Sequence, residues 1–520
     1  MKRINIKISF IVLLAFSITL PSCDKNFQEI NTDPIGERTT TANQLLAPAL
    51  VNVLAANMSR NRSFNNELMQ VTVNISDVEA QVFRYDFRRT WADLTWNVWY
   101  PELTNLKNIY TIASEPATLN KSYQGISLIT QAWVSSLLTD TYGDVPYSEA
   151  NAGKEGNLEP KFDLQKDIYA DMFKKLEEAN TLLKEGTSII ATGDPVFQGD
   201  ITKWRRFGNS LYLRLLLRVS GKAEASASAR AKIKEIVDAN PANYPIMTDN
   251  THTAKILWNG SNLSAAVYTS PFMNIRAVDF RTPAITSFFI ERLVNWKDPR
   301  VRADIGRGAP RWGISQGPGG YVGVQSGYAP GTGVTKQAYF YSDAQSAIYT
   351  LQTDPFTGLI MNVAEVDFIL AEAAAKGYIN GNGEAYYNKG IVDGVNYWLP
   401  NYFVSPTAAN FLTYLTDADV DWLDFLPLEN LTPGSNSKME MIHLQKYYAM
   451  FFVDFQQWYE YRRTGHPILP KGTGLANGGV MPARINYPVI SQSANPTSYK
   501  NAVATQGPDD INTKVWWQKP

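Results

Sequence analysis

Asn362-Val363-Ala364-Glu365-Val366-Asp367-Phe368-Ile369-Leu370-Ala371-Glu372-Ala373-Ala374-Ala375-Lys376-Gly377 precedes the turn Asn380-Gly381-Asn382-Gly383, and a second periodic stretch follows from Glu384 to about Asn396. Asn362 can cap a helix from Val363 to Lys376, and Gly377 permits the left-handed residue that ends one. Two helices joined by a short turn, within roughly 34 residues, match one tetratricopeptide-like unit. The small side chains of Ala371, Ala373, Ala374 and Ala375 would let the partner helix come close. This hairpin decides the fold class.

Similar signals lie upstream. Asp163 precedes a helix reaching about Lys184, with Ile168, Met172, Phe173, Leu176, Ala179 and Leu183 on one face and Gly186 past its end. Asp200 precedes a second, Trp204 to Val219, stopped by Gly221, and these two are expected to pair. One long helix is expected from Lys438 to Arg463. No fixed period joins these units, so helix-pair packing is better supported than a regular solenoid. Between about Ala254 and Gln352, Gly, Pro and aromatic residues replace the helical period, and the stretches after Val404 and Pro467 are similar. Such insertions either form a recognition surface or wrap the core. The architecture expected is mainly α, a tetratricopeptide-like helix-pair α/α superhelix with long irregular loop insertions.

Composition supports a large core. The chain has 520 residues, 44% hydrophobic and 19% charged, which excludes intrinsic disorder. Its 48 Lys and Arg nearly cancel its 49 Asp and Glu, so no basic field would attract nucleic acid. A single cysteine excludes disulfides and multi-cysteine zinc sites within the chain.

That cysteine has a telling position. Met1-Lys2-Arg3 and Lys7 precede an apolar run from Ile8 to Leu20, too short for a membrane span of ~20 residues but suited to a secretory signal. Leu20-Pro21-Ser22-Cys23 resembles a bacterial lipobox, which implies cleavage before Cys23 and acylation of its thiol. The expected organisation is a signal peptide over 1–22, a lipid-anchored tether over 23–41 and one domain over 42–520.

Catalytic signatures are sparse. His252, His443 and His466 are dispersed, and no His-Glu-x-x-His motif or phosphate loop occurs. Gly313-Ile314-Ser315-Gln316-Gly317 matches the nucleophile-elbow pattern, but Pro318-Gly319-Gly320 follows where a helix must start. Asp417, Asp419 and Asp421 alternate like calcium ligands, yet Trp422 and Leu428 occupy the places of the required Gly and Glu. No cofactor or metal is expected. The segment Trp91 to Tyr100 holds three tryptophans, which suit either core packing or stacking on the apolar faces of sugar rings.

Several segments together resemble the SusD/RagB-type nutrient-binding outer-membrane lipoproteins, in particular the SusD-like 2 branch. They are Phe27-Gln28-Glu29-Ile30-Asn31-Thr32-Asp33-Pro34, Thr139-Asp140-Thr141-Tyr142-Gly143-Asp144-Val145-Pro146-Tyr147-Ser148-Glu149-Ala150, Phe207-Gly208-Asn209-Ser210-Leu211, Leu370-Ala371-Glu372-Ala373-Ala374, Tyr461-Arg462-Arg463-Thr464-Gly465 and Tyr487-Pro488. Departures are Gln456-Gln457-Trp458, where Glu-Ala-Trp is more usual, and Ser498-Tyr499, where Asn-Tyr is common.

The resemblance implies a non-catalytic protein, anchored in the outer membrane through Cys23 and facing the exterior. It would capture a glycan, oligosaccharide or peptide and deliver it to a SusC-type TonB-dependent transporter. Ligand residues do not transfer by motif, so the aromatic insertions supply the candidates: Trp91, Trp96, Trp258, Tyr268, Trp312 and Tyr321, with Arg84 and Asp93 as polar partners. A secreted helical glycoside hydrolase or lyase is the first alternative, and a structural or adhesive surface lipoprotein the second. Acylation at Cys23 predicts that Cys23→Ala moves the protein out of the membrane fraction; unchanged fractionation would contradict the anchor.

Overall fold

The Asn362 hairpin forms as its caps dictate. The Asn362 carboxamide oxygen accepts from Glu365 N–H at the start of Val363–Ala375, and Gly377 adopts φ 70° after its end. Asn382 then caps Gly383–Trp398 through the N–H groups of Glu384 and Ala385. Close approach is built into the pair: a Cβ on Gly390 would lie 2.8 Å from the Phe368 ring.

These features belong to a computed structural model that describes residues 40–258, 268–302, 311–342 and 350–520. The signal, Cys23 and nearly all of the tether lie outside the described residues. Ala42–Pro520 forms one unit. Among the described residues its helices of six residues or more are α1 (Ala42–Arg60), α2 (Asp93–Ile112), α3 (Lys121–Tyr142), α4 (Gln165–Lys184), α5 (Ile201–Val219), α6 (Ala223–Lys234), α7 (Ser287–Asn295), α8 (Val363–Ala375), α9 (Gly383–Trp398), α10 (Ala409–Ala418), α11 (Lys438–Ala449), α12 (Gln456–Thr464), α13 (Val489–Ala494) and α14 (Pro496–Gln506). Among the described residues no helix is long and apolar enough to cross a membrane.

The expected α4–α5 contact forms, but α4 packs more extensively on α3, and the packing runs on in sequence through α1/α2, α2/α3, α3/α4 and α4/α5, with α8/α9 a further pair. α4 also starts one residue later than an Asp163 cap would place it. Asp163 is not its cap, because that carboxylate accepts from Tyr147 N–H and Ser148 N–H across a short strand pair. Asp200 does cap α5, through Thr202 and Lys203 N–H.

The long helix expected from Lys438 to Arg463 is two helices, α11 and α12, separated by a turn in which Phe452 and Asp454 take positive φ. The break turns Asp454 inward, where its carboxylate accepts from Asn57 Nδ2 at 2.6 Å and Trp133 Nε1 at 3.0 Å. Burial raises that carboxyl to about 7, against the two donors and Arg214. Long-range polar satisfaction thus overrides local helical propensity.

Ion pairs join the helices inside the core. Arg214 of α5 grips Glu365 of α8 through two bonds of 2.6 Å. Arg218 of α5 meets Asp140 of α3 at 2.9 Å and Glu460 of α12 at 3.1 Å. Arg463 of α12 contacts Glu372 of α8 at 2.6 Å and Glu460 at 2.7 Å, while Lys446 of α11 reaches Glu460 at 2.7 Å. Burial alone would raise the Glu372 and Glu460 carboxyls; Arg463 and the neighbouring cations outweigh it and hold both well below the usual range.

Among the described residues strands are minimal, in four antiparallel pairs: β1 (Thr72–Val73) with β5 (Ala284–Ile285), β2 (Val145–Pro146) with β3 (Phe162–Asp163), β4 (Ala254–Lys255) with β8 (Leu359–Met361), and β6 (Ile314–Ser315) with β7 (Tyr339–Phe340). Three of the four stitch insertions to one another or to the scaffold. In β1–β5, Thr72 faces Ile285 and Val73 faces Ala284.

Removing one partner of a buried ion pair leaves uncompensated charge and costs about 3–5 kcal/mol. Arg463→Met is therefore predicted to lower the stability of the folded chain by about that amount in urea denaturation. A change below about 1 kcal/mol, typical of an exposed pair, would contradict this role for the network.

Candidate functional site

The β1–β5 pairing fixes the site by bringing distant segments side by side. Asn74 follows β1, and Thr282 and Pro283 precede β5. The turn after α1 (61–65) adds Arg62, and the 3-10 turn Arg89–Ala92 before α2 adds Trp91. Together with Glu67, Gln81 and Asp279 these residues line a cleft of about 330 Å³.

Trp91 is half-buried. Its ring lies 5.7 Å from Phe64, and the Arg60 guanidinium sits 4.7 Å from its centroid. Burial lowers the Arg60 pKa, while Asp93, in the first turn of α2, acts in the opposite sense. Asp93 thus supports the cation over the indole. Arg62 joins the two walls: its guanidinium donates to the Asp279 carbonyl at 2.9 Å and the Phe280 carbonyl at 3.1 Å.

Glu67 lies deeper, 8% exposed. One carboxyl oxygen accepts from Phe83 N–H at 3.2 Å, and the other has no hydrogen bond within the described residues. Burial pushes the carboxyl up to about 8, with Phe83 N–H and Arg62 acting the other way. The cleft therefore offers an indole, amide and hydroxyl groups, the opposite and mutually offsetting charges of Arg62 and Asp279, and a carboxyl that holds its proton at neutral pH. That combination suits an uncharged ligand with an apolar face and hydroxyls at its rim.

The remaining candidates are scattered. Trp96 faces a separate apolar groove beside Tyr100. Tyr268 lines a third cavity with Lys255 and Asp194. Tyr321 is half-buried and donates to the Val301 carbonyl at 3.2 Å. Trp258 and Trp312 are core residues, 1% and 0% exposed, which corrects their assignment as ligand platforms. Trp312 packs against Phe289, Phe451 and Trp398, with Arg300 4.9 Å from its ring, and has no free face.

Arg84 is also reassigned. It is 5% exposed and donates to the carbonyls of Tyr328, Val78 and Ser76, so it pins the 76–85 loop instead of projecting into a site. Arg62, Glu67, Asn74, Gln81 and Asp279 carry no local motif. Only the pairing of two segments some 200 residues apart reveals them.

Two other constellations read as structural. Ser315 of the nucleophile-elbow pattern is buried on β6, and its hydroxyl donates to the Gln316 carbonyl; no helix follows it. Glu372, His443 and Glu460 converge as three metal ligands would. Arg463 bridges both carboxylates and Lys446 holds one of them, so cations of the chain already neutralise this donor set.

The family model SusD-like 2, described as starch-binding associating with outer membrane, matches residues 34–488. Among solved structures, a SusD homolog from Bacteroides fragilis is 24% identical with a TM-score of 0.71, over 92% of this chain and 100% of that one. A SusD homolog from Bacteroides uniformis is 22% identical, with a TM-score of 0.70 over 92% and 99%. A chitin-binding SusD homolog from Flavobacterium johnsoniae is 20% identical, with a TM-score of 0.71 over 92% and 98%. At these identities the structures establish the shared fold. No curated protein matches.

Glu67 generates a pH prediction. Its carboxyl keeps a proton in the folded chain up to about pH 8, whereas the unfolded chain releases it near 4.5. The folded state binds the extra proton between those values, so stability from this group falls as pH rises from about 4.5 through 8. Glu67→Gln, which keeps the acceptor for Phe83, is predicted to melt like wild type at pH 5 and above it at pH 9. An equal difference at both pH values would contradict the buried, protonated carboxyl.

Proposed function

The chain belongs to the SusD-like 2 family, and from that premise we propose that it is a non-catalytic surface lipoprotein that captures a glycan in the Trp91 cleft. It is tethered through Cys23 to the outer membrane and passes its ligand to a SusC-type TonB-dependent transporter. The observation that carries the reading is the joining of an aromatic platform to polar side chains from four separate segments, by a two-residue strand pair on a rigid helical frame.

The physical logic is capture without chemistry. An indole covers the C–H face of a pyranose, and Asn74, Gln81 and Thr282 at the rim are suited to exchange hydrogen bonds with its hydroxyls. Each aromatic contact of this kind contributes about 1 kcal/mol beyond area burial, by analogy with aromatic pairs. Micromolar affinity needs about −8 kcal/mol, within reach of one platform plus several hydrogen bonds along an oligosaccharide. The chitin-binding homolog supports a saccharide over a peptide as ligand.

Calorimetric titration with neutral oligosaccharides tests the assignment. Trp91→Ala is predicted to weaken binding at the cleft at least about tenfold, the equivalent of 1.4 kcal/mol, with the melting temperature little changed. Trp312→Ala is predicted instead to destabilise the fold by about 3–5 kcal/mol, as for a core tryptophan. Unaltered titration of Trp91→Ala would remove the cleft from consideration.

A further inference from the structure

A second surface feature shares no lining residue with the Trp91 cleft. It is a groove of about 250 Å³ between α2, the segment around β2 and β3, and α13. Trp96 and Tyr100 form one wall, their centroids 4.7 Å apart and their planes inclined at 56°. Both rings are held from behind. Trp96 meets Tyr142 edge-on at 5.1 Å, and the Tyr100 hydroxyl donates to the Pro146 carbonyl at 2.8 Å. Phe162 faces them, and no charged side chain lines the groove.

The polar atoms of this groove are fewer and more telling. Asn151 donates through Nδ2 to the Tyr100 carbonyl at 2.9 Å, and Asn495 through Nδ2 to the Pro160 carbonyl at 2.6 Å. Those bonds fix both amides, so each Oδ1 is an acceptor. Both Oδ1 atoms, and the Ser491 hydroxyl, are buried without a hydrogen-bond partner. Asn495 and Ser491 are only 7% and 6% exposed. Buried polar atoms are nearly always satisfied in folded proteins, and leaving one unpaired costs about 1–3 kcal/mol. Three belong to residues that line this one groove, so a modest opening of its wall would present them to a donor-bearing ligand.

The chemistry narrows the ligand. Fixed acceptors call for O–H or N–H donors, and with no carboxylate in the groove an ammonium would enter uncompensated. Aromatic walls call for an apolar face. We propose that the groove is a second binding site that accepts one uncharged, polyhydroxylated ring, stacked on Trp96 and donating to Asn151 and Asn495. The proposal shares with the proposed function the premise that this chain handles saccharides; it adds a separate subsite with its own lining residues.

The test uses the full-length protein titrated with neutral hexasaccharides of glucose, mannose, xylose and N-acetylglucosamine, taking forward the one that binds wild type most strongly. Ala494 lines the groove and is exposed at the end of α13, so Ala494→Phe adds bulk there, and melting curves verify the fold. Trp91→Ala is expected to retain a saturable component. Adding Ala494→Phe should weaken that component at least tenfold, and adding Ser491→Ala should weaken it several-fold.

Complete loss of binding in Trp91→Ala would overturn the second site while leaving the cleft intact. A residual component indifferent to both groove substitutions would also overturn it. Binding lost in Ala494→Phe alone and intact in Trp91→Ala would uphold the groove and overturn the cleft. No binding of any hexasaccharide by wild type would overturn both.

Discussion

Five helices of this protein meet around charges that are largely withdrawn from water. Arg218, Arg463 and Lys446 converge on Glu460, and Arg463 also spans to Glu372, so α3, α5, α8, α11 and α12 are tied through a handful of side chains. Apolar contact alone tolerates sliding between helices, whereas a guanidinium between two buried carboxylates has one acceptable position. Desolvation makes this arrangement costly unless every partner is in place. The network therefore acts more as a register lock than as a source of stability. Asp454 plays a related part: its bonds to Asn57 and Trp133 draw the α11–α12 turn against the first and third helices.

Rigidity of that frame is what allows the insertions to be so irregular. Pairs of two or three residues, such as Thr72–Val73 with Ala284–Ile285, would have no stability in isolation. Anchored at both ends to locked helices, they suffice to set Asn74 beside Pro283 and to close the cleft around Trp91. Arg62 reinforces the junction by donating from one segment to the main chain of the other. The proposed recognition surface thus resides in loops whose geometry is inherited from the helices beneath them.

Local grammar made part of this legible. Asp200 and Asn362 cap the helices they precede, Gly377 and Gly465 end theirs in left-handed conformations, and the Asn380–Gly383 turn joins a true hairpin. Where the deciding partner is remote, the reading fails. Nothing near Asp454 announces that Asn57 and Trp133 will claim it, so α11 and α12 read as one helix. Nothing in the glycine-rich context of Trp312 reveals the aromatic cage of Phe289, Trp398 and Phe451. The aromatic segment from Trp91 to Tyr100 was informative but divided: Trp99 enters the core and bonds Asn57, Trp91 borders the cleft, and Trp96 borders the groove.

Capture by shape and stacking, with no bond broken, is the claim on which the functional account depends. Incubating an oligosaccharide with excess protein, denaturing the complex and weighing the released sugar by mass spectrometry addresses it most directly. The account predicts quantitative recovery at the original mass, however long the incubation. Shortened or unsaturated products that accumulate with time, and cease when one carboxylate such as Glu67 or Asp279 is replaced, would contradict it.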